Sequence, residues 1–141
     1  MIQLRALDWA TDGPFQQYPV LFVYHPTTEG HNFTILSWAG FIGTITGFSS
    51  SPIGLCEKVW LQYNGTRPRS GIPWHFLTRD ILQFDNTIDD AISRINNAQR
   101  TCSVWLGLGD PVNKFRAVGY AHDYVEVFDD NNYPVYPVCY L

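Results

Sequence analysis

Apolar periodicity changes twice along this chain, and the order of those changes limits its architecture more than any other feature. The first part reads as short strands: Gln3 to Trp9, Val20 to His25 and Asn32 to Trp38 are rich in aromatic and β-branched residues. Asp12-Gly13-Pro14 and Thr28-Glu29-Gly30 supply the turns between them. Ile42 to Phe48 and Ile53 to Trp60 flank Ser49-Ser50-Ser51-Pro52 as the arms of a hairpin. Gly40, Gly43 and Gly47 thin the first arm, which marks a bulge or the close approach of other backbone beside a cleft. After the polar stretch Gln62 to Gly71 the period becomes helical. Pro73 opens one helix whose apolar face is Trp74, Leu77, Ile81 and Phe84. Thr87 caps a second, with Asp89 and Asp90 in its first turn and Ile88, Ala91, Ile92 and Ile95 as its buried stripe. Strand patterns return at Thr101 to Leu108, Phe115 to Tyr120 and Tyr124 to Phe128, and Asp129 to Leu141 reads as loop. Strands, two helices and strands again predict an α+β domain with a helix pair on a largely antiparallel sheet.

Composition narrows the function classes. With 45% hydrophobic and 16% charged residues the chain builds a packed core, and 141 residues suit one domain. The formal charge is −4 and the nine Lys and Arg are scattered, so there is no basic stripe for nucleic acid. Every apolar run is interrupted by Gly, Pro, Asp or His, which predicts no transmembrane segment. Met1 leads into Ile-Gln-Leu-Arg rather than a secretory signal; lysosomal or secreted destinations stay open for a chain truncated at this end.

Cys56, Cys102 and Cys139 are odd in number and lack a Cys-x-x-Cys pair, which argues against a disulfide framework or structural zinc. His25, His31, His75 and His122 have no metal-ligand spacing, so no metal is expected. Asp129-Asp130-Asn131-Asn132 lacks the glycine and distal glutamate of a calcium loop, and Gly107-Leu108-Gly109 lacks a dinucleotide fingerprint. A turn and a hairpin explain these two segments, and no cofactor is expected. Asn32-Phe33-Thr34 and Asn64-Gly65-Thr66 are glycosylation sequons that matter only in the secretory route.

Arg5-Ala6-Leu7-Asp8-Trp9 resembles the Arg-Asn-x-Asp segment that follows the nucleophile in cysteine N-terminal-nucleophile hydrolases. Asp12 to Phe15 with Tyr18 to Val20, and Ser37 to Gly43 with Thr46-Gly47, resemble that family's next strands. Thr78 to Leu82, Ile88 to Ile92 and Arg100 to Ser103 are similar to its later helix pair and strand, in the same order. The resemblance is to the acyl-CoA:6-aminopenicillanic acid acyltransferase family, with bile salt hydrolase, penicillin V acylase, acid ceramidase and N-acylethanolamine amidase as more distant relatives. It covers nearly the whole chain and implies part of a four-layer αββα sandwich.

The implied chemistry is cleavage or transfer at a linear amide of a small acyl-amide substrate. A Cys exposed by self-cleavage attacks the carbonyl as thiolate, with its own α-amine as base. By this resemblance Arg5 and Asp8 are the catalytic-site residues: Arg5 favours the thiolate and Asp8 orients the amine. The chain departs from the family pattern in four places. Only four residues precede Arg5, so the strand carrying the nucleophile is missing and no Cys occurs before Cys56; Ala6 replaces Asn; Glu57-Lys58 stands where polar residues of the oxyanion side are found; and the downstream Asn and Arg positions would fall beyond Leu141. The expectation is a single incomplete domain over residues 1–141, inactive by itself.

Plainer readings stand beside these. Arg5 and Asp8 also fit a solvated ion pair on an edge strand. Cys102 in Thr-Cys-Ser resembles the start of a mature subunit, but Val104, Trp105 and Leu106 point to a buried strand with the thiol as a small hydrophobe. Trp9, Trp38, Trp60, Trp74 and Trp105 suit either a pocket or a core. The rival to a hydrolase or acyltransferase is a non-catalytic ligand-binding or interaction domain derived from the same fold. Self-association through exposed sheet edges is expected in either case.

Overall fold

The computed structural model describes residues 13–112 and 114–132. Arg5, Asp8, the strand expected at Gln3 to Trp9, Cys139 and most of the Asp129 to Leu141 loop lie outside the described residues. A 3₁₀ turn, Pro14–Gln16, leads into β1 (Pro19–Tyr24), β2 (Phe33–Trp38), β3 (Thr46–Ser49) and β4 (Gly54–Val59). The helices α1 (Trp74–Phe84) and α2 (Ile88–Asn97) follow, then β5 (Ser103–Gly109), β6 (Phe115–Ala121) and β7 (Val125–Phe128).

The seven strands form one antiparallel sheet in chain order, β1 through β7. Even β4 and β5, separated by both helices, pair directly from Gly54↔Gly109 to Val59↔Val104. This is the α+β class expected from the periodicities.

Because side chains alternate across a strand, the register sorts every residue to one of two faces. One row, Phe22, Ile35, Gly47, Leu55 and Leu108, crosses the sheet beneath the helices. Ile35, Leu55, Leu106, Leu108, Val118 and Tyr120 on this side are buried against Leu77, Ile81 and Leu82 of α1 and Ile88, Ala91 and Ile95 of α2. Each such aliphatic side chain contributes about 1.5–3 kcal/mol on burial.

The opposite row runs Leu21, Leu36, Thr46, Cys56, Gly107, Ala117 and Phe128. Nothing among the described residues covers most of it: Leu21 is 63% exposed, Leu36 54% and Phe115 52%. The sheet is therefore apolar on both sides and packed by helices on one.

Local chemistry accounts for the helix ends. Thr87 accepts a hydrogen bond from the Asp90 backbone N–H at 3.1 Å, and the Asp90 carboxylate accepts from the Thr87 N–H at 3.0 Å. This reciprocal box fixes the start of α2 as the sequence suggests. At α1, Pro73 occupies the cap position itself and makes no side-chain cap bond.

Two expectations need correction. The strand expected from Ile42 begins only at Thr46. Residues 39–45 instead turn over the start of α1, where the Thr44 N–H donates to the His75 carbonyl at 2.8 Å and the Thr78 hydroxyl donates to the Thr44 carbonyl at 2.7 Å. The close approach that the glycines signalled comes from backbone and helix alike: a Cβ on Gly47 would lie 2.6 Å from the Thr34 carbonyl oxygen of β2 and 2.5 Å from Leu82 Cδ1 of α1. In α1, Phe84 is 38% exposed, and Thr78 and Leu82 complete the buried stripe with Leu77 and Ile81. The stripe is turned because Asp85, just past the helix, points inward to meet Arg94 of α2.

Candidate functional site

The dipeptide Glu57-Lys58 is divided between the two faces of β4. Glu57 sits opposite Leu106 on the helix-covered side and is buried; Lys58 sits opposite Trp105 on the open side. Both residues have interaction partners. A carboxylate in this position is expensive to desolvate unless compensated, so its retention inside an apolar layer marks the end of the β4–β5 ladder as the chemically unusual part of the core.

Cys102 lies next to it, just before β5, with a left-handed backbone (φ 52°), and packs half-buried against the core. Burial pushes the thiol up to about 11, and the nearby Glu57 charge adds to this, against weaker opposition from the Thr101 hydroxyl, the Trp74 backbone and Arg67. A thiol so shifted is protonated at neutral pH and is a poor nucleophile. The core reading of Cys102 holds. Tyr120 is fully buried beside it, and burial followed by the Cys102 neighbour raises its hydroxyl.

On the open face the same strands carry an aromatic cluster. Trp60 lies 4.5 Å from Trp105 between ring centroids, with Tyr63 at 5.2 Å and Tyr124 at 6.2 Å, and Phe128 lies 6.0 Å from Trp105. Gly119 is the floor, since a Cβ there would come within 3.1 Å of Trp105 and 3.5 Å of Trp60. The Tyr63 hydroxyl donates to Asp123 at 2.6 Å and fixes the rim. Trp74 instead packs against the core and Trp38 against Phe15, so the four described tryptophans do not share one pocket, and Trp9 lies outside the described residues.

A shallow groove between α1 and α2 holds Asp80, Asp85 and Arg94. Arg94 clasps Asp85 through Nε at 2.9 and 3.0 Å and a terminal nitrogen at 2.6 Å. Burial raises the Asp80 carboxyl against the opposing pull of Arg94 and Arg79. The Asp85–Arg94 clasp closes the turn between the helices, and its geometry is that of a brace.

The four histidines are dispersed, and no group of three or more His, Cys, Asp or Glu side chains among the described residues could hold a metal ion. Asp129 accepts from the Asn131 and Asn132 N–H groups at 2.8 and 3.2 Å, so the acidic stretch closes as a turn on itself. Cys56 and Cys102 are free thiols. No helix among the described residues is long and apolar enough to cross a membrane.

Sequence reasoning singled out Glu57 and Lys58 without a role and missed the aromatic cluster. The cluster joins the loop after β4 to β5, β6 and the β7 segment, and only the strand register reveals it.

No family model matches the chain. Its fold is that of the N-terminal-nucleophile hydrolases. It superposes on an N-acylethanolamine-hydrolyzing acid amidase ortholog from Caenorhabditis elegans with a TM-score of 0.68, at 13% identity, over 89% of this chain and 57% of that one. A variant of conjugated bile acid hydrolase from Clostridium perfringens matches with a TM-score of 0.56 at 13% identity, over 72% of this chain and 36% of that one. Penicillin V acylase from Agrobacterium tumefaciens gives 0.54 at 17% identity, over 75% and 35%.

Among curated sequences, protein dcd1A of Dictyostelium discoideum is 51% identical over 146 aligned residues, covering 96% of this chain and 33% of dcd1A. Protein dcd1B of the same organism is 50% identical, covering 92% of this chain and 26% of dcd1B. The chain thus spans about a third of the length of the first of these relatives and about a quarter of the second.

Proposed function

We propose that these residues form one sheet-and-helix half of a cysteine N-terminal-nucleophile amidase or acyltransferase, in a single domain that is incomplete without further polypeptide. The observation that carries this reading is the fold shared with an acid amidase, a bile acid hydrolase and an acylase over 72–89% of the chain. The bare apolar face supports it too, because an apolar sheet face is normally covered by a second layer.

In the proposed reaction a cysteine thiolate contributed by polypeptide outside this chain attacks the amide carbonyl. The C–N bond breaks, the amine leaves with a proton from the cysteine's own ammonium group, and the thioester passes its acyl group to water or to a second amine. Arg5 stands beside the thiolate and Asp8 holds the α-amine. The substrate class is a small acyl amide. The 141 residues alone carry no activity and self-associate through exposed sheet edges.

The test uses the whole gene product that contains these residues. Intact mass spectrometry is expected to show self-cleavage to an N-terminal Cys, and incubation with N-acyl amides to release the acid and leave a transient thioester adduct. Arg5→Leu and Asp8→Asn are expected to abolish acyl release while leaving the far-ultraviolet circular dichroism unchanged. A gene product that has no such Cys and releases no acid would overturn the catalytic reading. The non-catalytic alternative, a binding domain using the Trp60–Trp105 surface, would then gain.

A further inference from the structure

We propose that Asn64 is a site of spontaneous deamidation, a chemical modification site in the loop joining β4 to α1. The step is intramolecular. The Gly65 backbone nitrogen, deprotonated by solvent hydroxide, attacks the Asn64 side-chain carbonyl carbon; a new C–N bond forms, the bond to the side-chain nitrogen breaks and ammonia departs. Water then opens the five-membered imide at either carbonyl and leaves aspartate or isoaspartate. No oxidant, metal or enzyme is required.

Three observations single out Asn64. The attacking nitrogen must approach without hindrance, and among the asparagines of this chain only Asn64 is followed by glycine. A Cβ on Gly65 would lie 2.2 Å from the Tyr63 hydroxyl, so a larger residue there would push that side chain from its 2.6 Å bond to Asp123. Second, Asn64 and Gly65 are exposed and lie in no helix or strand. Third, no hydrogen bond among the described residues holds the Asn64 amide or the Gly65 N–H.

The other described asparagines lack this combination. The residue after Asn86 has its N–H held by the Asp90 carboxylate at 3.0 Å, and the one after Asn131 has its N–H held by Asp129 at 3.2 Å. Asn32 leads directly into β2, and Asn96 and Asn97 lie in α2.

The consequence is local and electrostatic. Arg67 donates to the Tyr63 carbonyl at 2.5 Å and so spans Asn64. Isoaspartate inserts a carbon into the main chain inside that span, and either product adds a negative charge beside the Arg67 guanidinium. The aromatic rim at Tyr63 and Trp60 lies directly next to the change.

The experiment is timed peptide mapping of the chain held at mildly alkaline pH, run beside the same chain unfolded in urea. The expected result is a unit mass gain that accumulates first in the peptide containing Asn64, mostly as isoaspartate, at a rate within severalfold of the unfolded chain. Gly65→Ala is expected to slow it severalfold; if that variant misfolds, the folded-against-unfolded comparison still decides. Mass gain appearing first at another asparagine, or protection of Asn64 by an order of magnitude in the folded chain, would overturn the assignment.

Discussion

The two faces of the sheet should respond very differently to the same truncation. Leu108 of β5 is fully buried under the helices, whereas Leu36 of β2 is 54% exposed on the opposite side. Leu108→Ala removes buried methyl groups and leaves a cavity that the helix layer cannot fully close, an expected loss of about 2–5 kcal/mol. Leu36→Ala removes a side chain with under half its surface withdrawn from water and leaves no enclosed cavity. Scaling a full leucine burial of about 1.5–3 kcal/mol by that fraction gives roughly 1 kcal/mol, an upper bound because unfolded chains also bury some area. Urea unfolding followed by tryptophan fluorescence, with equal m-values in the two variants, measures the difference directly. The reasoning fails if Leu36→Ala destabilises the dilute chain as much as Leu108→Ala does. If the Leu36 effect instead grows with protein concentration, the open face is being covered by another molecule.

Thr87→Ala removes one half of the reciprocal cap of α2 and is expected to lower stability by about 0.5–2 kcal/mol, read as a shift in the urea midpoint. Asp85→Ala leaves the Arg94 guanidinium without its clasp, an expected loss of about 1–3 kcal/mol, checked by thermal unfolding of the single and double variants in a mutant cycle. Asp80 is held above the ordinary carboxylate range in the folded chain, so the stability it contributes is complete below that range and is lost as pH rises through its raised value. Asp80→Asn is therefore expected to stabilise at neutral pH and to make no difference in acid; equal effects at both pH values would contradict the burial argument. With its thiol pushed up to about 11, Cys102 is expected to label with iodoacetamide far more slowly at neutral pH in the folded chain than in the chain unfolded in urea, and to accelerate only as pH approaches that value.

Much of this fold was legible in the chain because it is built from local signals. Thr87, Asp89 and Asp90 announce the start of α2, and the alternation in β2 is strong enough to place its ends. The segment at Ile42 misled because apolar and β-branched composition describes any half-buried extended chain, and only His75 and Thr78 arriving from α1 decide that residues 39–45 turn away from the sheet. Phe84 misled for a related reason, since the pairing of Asp85 with Arg94, nine positions along, sets the rotation of the helix end. The candidate site was legible only as motif order: Arg5 and Asp8 lie outside the described residues, and Glu57 shows itself as a charge in an apolar strand. The cluster of Trp60, Trp105, Tyr124 and Phe128 has no linear signature, because it depends on which strands become neighbours.

Strand order has a further consequence, for how the chain acquires its shape. Because each described strand after β1 pairs with the one before it, each new stretch of polypeptide finds its partner already made, and assembly of this sheet can proceed strand by strand as the chain emerges during synthesis. The single interruption falls between β4 and β5, where residues 60–102 must fold as a helix pair before Ser103–Gly109 can reach the waiting edge. Until then β4 is an open edge, and a pause in translation within α1 or α2 would expose it longer than any other strand. Stalling there should be the step most sensitive to chaperones.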